Sequence, residues 1–506
     1  MRGFWITSSV MLAALAALAT HSAMSATERP DLNDAELARV RAVTRAPREF
    51  NISQKFERMS GGATTTTRPI DSNIFSQFSA NLSFEDQARF SVGNGLFRKD
   101  WAAAPSSTQA SDGLGPLFNA RSCQGCHIKD GRGHAPTGPD DDAVTLLIRL
   151  SVPPSTPQEH ALLKERQVTS IPDPIYGGQL QDFAVGGLKA EGRVKVTYTN
   201  IGIVLNGGEK VLLRKPHFEL ADPAYGSFRA NLMTSPRIAT PMIGLGLLET
   251  IHENDILTKA DPEDRDTDGI SGRPNYVRNE ATGKIVLGRF GWKASQPTVM
   301  QQNGHALAGD MGLSSHIKPN PNGDCTDKQQ ACRAMPNGVQ KRFGPYEVTD
   351  ESMDLITFYA RNLAVPARRG TDTADVLAGK KLFYDSGCTS CHTPSYVTGK
   401  DAAEKAQRFQ LIWPYTDLLL HDMGEELADH RPDGDASGSE WRTPPLWGIG
   451  LTKVANDEAT FLHDGRARSI LEAVLWHGGE AQAARDRVVN MLPDDRRKLL
   501  KFLESL

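Results

Sequence analysis

The sequence is poor in aromatic residues, which make up 7% of its 506 positions, and it has no excess of positive charge. Its 57 Lys and Arg stand against 61 Asp and Glu, a formal charge of −4. That balance excludes a nucleic-acid binder built on a basic face. Beyond the N-terminus no stretch is long and apolar enough to span a bilayer. Cysteine is scarce too, at 6, which excludes a disulfide-dense scaffold and means that each cysteine needs its own reason. What is abundant is loop chemistry, with 45 Gly and 30 Pro. At 39% hydrophobic content the chain still has apolar residues for large cores, and its length argues for roughly two to four domains.

Four of the cysteines fall in Cys123-Gln124-Gly125-Cys126-His127 and Cys388-Thr389-Ser390-Cys391-His392. Cys-x-x-Cys-His is the attachment sequence of a c-type haem. Thiols three positions apart sit one helical turn apart, so each can join one haem vinyl, and the histidine that follows turns its imidazole to the iron. A zinc ribbon would not need a histidine after both pairs, and a redox dithiol would need only one pair. Two covalently bound c-type haems are therefore expected, with His127 and His392 as iron ligands.

Met1-Arg2, the apolar run from Val10 to Ala19 and the small residues Ala23-Met24-Ser25 read as a secretory signal, residues 1–25. The expected destination is the periplasm, with no membrane span in the mature chain. In an exported protein the two remaining cysteines, Cys325 and Cys332, are expected to form a disulfide, a redox-active pair being the alternative.

From 26 to 80 the chain is polar, with a short helical patch at Asp34 to Thr44 and a linker pattern from Gly61 to Thr67. Phe84 to Trp101 has the spacing of an amphipathic helix, with Phe90 and Phe97 on one face. Landmarks then recur. Leu117-Phe118 precedes Cys123 by the distance that separates Leu382-Phe383 from Cys388. Pro241 to Leu247 is matched by Pro445 to Leu451, and Asp350 to Leu363 by Asp494 to Leu506. One haem domain has been duplicated. The expected fold is mainly α, with two tandem cytochrome c-like haem domains at 81–365 and 366–506, the first carrying β-rich and loop insertions. The β-rich part, about 142–235, is expected to form a small antiparallel sheet from Val144 to Val152, Arg193 to Thr199, Lys210 to Arg214 and His217 to Leu220. A second insertion, the acidic loop 261–275, places Asp264, Asp266 and Asp268 at alternate positions before Gly269. Calcium loops begin this way, but position twelve is Asn275 rather than Glu, so calcium and a solvated acidic turn both stay open.

These features resemble the bacterial di-haem cytochrome c peroxidase superfamily. More closely, Asp112 to Phe118, Gly288 to Ala294, His421-Asp422-Met423-Gly424 and Trp476 to Glu480 are similar to the di-haem oxidoreductases labelled thiol oxidoreductases or peroxidases. The resemblance covers residues 80–506. It implies that the second domain ends with a His-Asp-Gly turn, here His463-Asp464-Gly465, and a helix supplying the second axial ligand, which places His477 on the C-terminal iron where the peroxidases usually offer methionine. Met423 is the alternative. It also implies that Trp292 lies between the haems and that Asp310 overhangs the N-terminal iron as acid/base. His134, His305 and His316 are further candidates for that iron, and Glu249 is a further candidate acid.

The implied function is peroxide reduction, or reduction of a related oxidant, at the N-terminal haem. Electrons would come through the C-terminal haem from a small periplasmic cytochrome or cupredoxin. Two other readings remain open: an electron-transfer cytochrome with both irons six-coordinate, and an oxidase acting on a protein or organic substrate.

Overall fold

Two pairs of crossed helices organise the chain. The computed structural model describes residues 29–108, 111–138, 141 and 144–506, so the proposed signal segment lies outside the described residues. In the N-terminal half a leading helix, Phe84–Arg98, starts at Ser83, whose hydroxyl accepts the Asp86 amide, and Glu85 and Asp86 lie where the helix dipole favours anions. It crosses a closing helix, Asp350–Arg361, so tightly that a Cβ on Gly93 would stand 2.4 Å from the Leu355 carbonyl oxygen. The C-terminal half repeats this. Ala374–Asp385 crosses Pro493–Ser505, and a Cβ on Gly379 would stand 2.0 Å from the Lys498 oxygen. One turn beyond each glycine is a phenylalanine. Phe97 lies 6.3 Å from the His127 ring and 5.1 Å from Tyr359; Phe383 lies 6.3 Å from His392 and 5.2 Å from Phe502.

This equivalence corrects one landmark. Leu382-Phe383 is on the second leading helix, so its counterpart is Leu96-Phe97. Leu117–Phe118 forms instead a short strand paired with Phe183–Ala184. The equal spacing to cysteine was a coincidence produced by an insertion between helix and haem loop in the first half. The other two landmarks coincide structurally. Gly244 and Gly448 both adopt left-handed backbone, at φ 71° and 72°. Their amides donate to Leu363 O and Leu506 O, at 3.0 and 3.1 Å, just beyond each closing helix. The halves meet here reciprocally: the Trp447 ring packs on Gly244, and Ile243 packs on Gly448.

The β-rich insertion is not one sheet. Leu146–Ser151 pairs with Met233–Ile238, and separately Arg193–Val204 pairs with Lys210–Ala221 in a long hairpin. The expected break between Arg214 and His217 is absent. Pro216 sits opposite Tyr198 in an unbroken strand, which a two-stranded ribbon tolerates because its edges are free. The hairpin leaves its own half and straps the other. Leu205 and Leu213 are buried with Phe461, Leu475 and Trp476, and Arg214 donates to Gly465 O and Arg466 O at 3.1 and 3.0 Å.

The expected linker at Gly61 to Thr67 is also built in. Thr64, Thr65 and Thr66 are buried, and the first two hydroxyls donate to Gly61 O and Gly62 O at 2.8 and 2.7 Å. Small polar residues that satisfy the local backbone look like a linker in sequence yet pack as core. Among the described residues, no helix is long and apolar enough to cross a membrane.

Candidate functional site: two histidine centres

Cys123–Cys126 is a single helical turn on the wall of a cavity of about 600 Å³, which Asp310 and Trp292 also line. His127 Nδ1–H donates to Thr240 O at 2.8 Å. The proton is thereby fixed on Nδ1, and the Nε2 lone pair is left for a metal. Burial holds this imidazole below its ordinary pKa. Burial also pushes the Cys123 thiol up to about 12.

Asp310 lies in the last turn of the helix Val299–Met311, and its carbonyl accepts the Asn119 and Ala120 amides at 2.8 and 3.0 Å. These bonds clamp it to the segment that leads into the haem loop. Its Oδ1 accepts from Gln179 Nε2 at 2.9 Å. Burial pushes the Asp310 carboxyl up, against the pull of Arg149, Gln179 and His127. Trp292 donates to Ile238 O at 2.9 Å and meets the His463 ring edge-on at 6.4 Å. His463 in turn stacks on Trp441 at 3.8 Å.

The three further histidines separate. His305 lines the cavity, but both ring nitrogens are engaged, by Gln296 at 3.2 Å and Glu280 at 2.8 Å. His134 and His316 face Glu458 and Asp350. Glu249 is not a free acid: it accepts the Val299 amide at the start of the Asp310 helix and pairs with Arg361 at 2.6 Å.

At the second centre, Cys388, Cys391 and His392 follow the leading helix after a left-handed Gly387. His392 Nδ1–H donates to Tyr415 O at 2.9 Å, and His477 Nδ1–H donates to Ala473 O at 2.7 Å. Both Nε2 lone pairs are therefore free. Burial, with His477 adding to it, holds His392 down to about 4. His477 follows the helix Ile470–Leu475, the one the hairpin covers. Met423 packs instead among Trp441, Trp476 and their apolar neighbours.

Sequence reasoning gave no role to three residues. Trp447 belongs to the second half but lines the first cavity. Its glycine partner in the other half was the available signal. His421 is held between Asp417 and Glu480 at 2.8 and 2.6 Å, and against burial Asp417 and Cys391 raise it well above the ordinary histidine range; its Nδ1 lies 3.5 Å from Cys391 Sγ. Arg132 is the third, buried with Nε and Nη1 unpartnered.

Away from both centres, Cys325 and Cys332 are joined as a disulfide, with Cα atoms 6.1 Å apart. Asp264, Asp266 and Asp268 bring one carboxylate oxygen each to within 4.8 Å of one another, on a turn whose own amides, Gly269 and Ile270, already take up Asp264 and Asp268 at 3.1 and 2.9 Å.

Residues 56–506 match the family described as "Di-haem oxidoreductase, putative peroxidase". The chain belongs to the di-haem oxidoreductases. No curated protein matches it. Among solved structures, the hydrazine synthase of Kuenenia stuttgartiensis shares 15% identity, over 38% of this chain and 65% of that one, at a TM-score of 0.22.

The residues present fit the cofactor of this di-haem oxidoreductase. Each centre offers two free thiols and an imidazole with its metal-binding nitrogen exposed. The first adds a buried guanidinium with unpartnered N–H groups, which suits a haem propionate. The volume falls within the range of ligand cavities, about 300–1,000 Å³.

Proposed function

We propose that the chain is an exported peroxidase-type enzyme that reduces hydrogen peroxide, or a related oxidant, at a c-type haem held by Cys123, Cys126 and His127, with electrons relayed from a second haem held by Cys388, Cys391, His392 and His477. The supporting observation is the count of free imidazole nitrogens. The first cavity has one, on His127, because His305 is engaged on both sides. The second centre has two. A carrier with both irons closed by histidine would need a second free imidazole at the first.

Each haem supplies an iron that exchanges one electron at a time. The protein supplies the proton chemistry. The buried Asp310 carboxyl retains a proton more readily than an exposed one and moves it from the near to the far peroxide oxygen as the O–O bond breaks. Gln179 fixes which oxygen of Asp310 faces the bond. A small reduced cytochrome or cupredoxin provides the two electrons, and two protons are taken up as two waters form. Trp447, which reaches from the second half into the first cavity, and Trp292 on the same wall are the aromatic steps for the electron.

The test is absorption and low-temperature EPR of the oxidised and half-reduced holo-protein, with and without hydrogen peroxide. A high-spin ferric signal that peroxide removes is expected, and Asp310→Ala should retain the signal but lose the reaction. Two low-spin haems in every state, indifferent to peroxide, would leave electron transfer as the function.

A further inference from the structure

The wall of the first cavity carries a cation that the peroxide chemistry above does not use. Arg149 lies on the strand Leu146–Ser151 and lines the cavity with Asp310. Its Nη1 passes over Gly309, where a Cβ would stand 3.6 Å away, one residue from Asp310. Among the described residues, none holds this guanidinium by a hydrogen bond or ion pair. Asp310, Asp433 and Asp324 act on it only as charges at longer range, while burial and Arg237 disfavour its charge.

Three neighbouring cations have carboxylate partners. Arg237 and Arg431 share Asp433 at 3.1 and 3.5 Å, and Lys318 pairs with Glu280 at 2.9 Å. Asp433, which also acts on Arg149, is already shared by Arg237 and Arg431, and Asp310 and Asp324 are both pushed up by burial, Asp324 to about 6. They are poor counter-ions. An unmatched guanidinium in a low-dielectric cavity is costly until an anion meets it, and its planar fork suits a small oxygen anion.

We propose that the cavity beside Asp310 is a binding site for a small inorganic anion, with the Arg149 guanidinium as its ligand. The site itself stands without turnover; that hydroperoxide is the anion it takes in catalysis rests on the peroxidase reading. An oxyanion such as nitrite presents the same chemistry. Arg149 would hold the anion in the cavity beside Asp310, which, neutral when protonated, would not repel it.

The experiment is titration of the oxidised and half-reduced holo-protein with fluoride, nitrite and hydrogen peroxide, followed by absorption, for the parent, Arg149→Leu and Arg149→Lys. Both midpoint potentials are measured alongside. Losing a charge-assisted hydrogen bond should weaken fluoride roughly ten- to a hundredfold in Arg149→Leu, with partial recovery in Arg149→Lys. Peroxide capture that weakens in step with fluoride identifies hydroperoxide as the anion, and nitrite binding that weakens in step with fluoride while peroxide capture is unchanged identifies an oxyanion. Unchanged fluoride affinity in Arg149→Leu overturns the anion site while leaving peroxide turnover standing. A changed first-haem potential with unchanged fluoride affinity also overturns it, assigning the guanidinium to a propionate. Arg149-dependent fluoride binding without peroxide turnover keeps the site and removes the peroxidase reading. No anion binding in any redox state removes both.

Discussion

Asp130, Asp324 and Glu347, in the first half, are pushed up by burial to about 6, 6 and 7, and Asp310 is raised as well. In the second half Asp433 and Asp464 are just as deeply placed, yet they are held below the ordinary carboxylate range. Arg237 and Arg431 overcome burial at the first, and Arg466 and His463 at the second. The two halves repeat one helix-crossing plan and differ in what they do with buried acid. These carboxyls of the first half can hold protons near neutrality, as the proposed proton transfer would require. Asp433 and Asp464 are instead fixed as charges in pairs, and fixed charge would suit the proposed electron relay, whose potential should not wander with pH.

The largest expected break in this contrast is Asp310→Ala, which should lower peroxide turnover by about 10²–10⁴-fold without altering the low-spin spectrum of the second haem, followed by stopped-flow and EPR. His477→Ala should do the converse. The second haem becomes high-spin and its midpoint shifts, while peroxide binding at the first is retained, as potentiometry would show.

Next in size are the paired phenylalanines. Phe97→Ala and Phe383→Ala should each cost about 3–5 kcal/mol in denaturant unfolding, with haem disorder confined to the half that carries the change. Disorder in both haems from either change would mean that the halves do not separate. The smallest effect concerns pH. Glu347 is raised in the folded chain from 4.5 to about 7, so its contribution to stability is fully present below pH 4.5 and is lost as pH rises through 7. Glu347→Gln should flatten the stability profile across that window, while Glu440→Gln, at a carboxylate that is lowered, should not. Thermal unfolding from pH 4 to 8 decides it.

Much of this was legible in the chain. The two Cys-x-x-Cys-His pentads are local patterns within five residues, and the closing helices and glycine turns announce themselves in the same way. Leu117-Phe118 misled because an insertion happened to restore the spacing that Leu96-Phe97 had lost. The hairpin strands were visible as β-branched runs, but alternation says which face is apolar and not what covers it, so their reach to Leu475 and Trp476 was hidden. Arg149 could not have been singled out, since its significance lies in the absence of a partner, which only tertiary structure reveals.

The strap has a consequence for how the protein is made. Residues 193–221 emerge from the ribosome long before the helix they clasp, and they lie over the helix leading to His477. Under the proposed function, haem would be joined to Cys388 and Cys391 either before that clasp closes or through a gap it leaves, so topology would constrain the order of cofactor loading. Cut free, the C-terminal half would also present Phe461, Leu475 and Trp476 to water. The helix crossing that recurs in the two halves is thus tied together by a strap that belongs to one and covers the other.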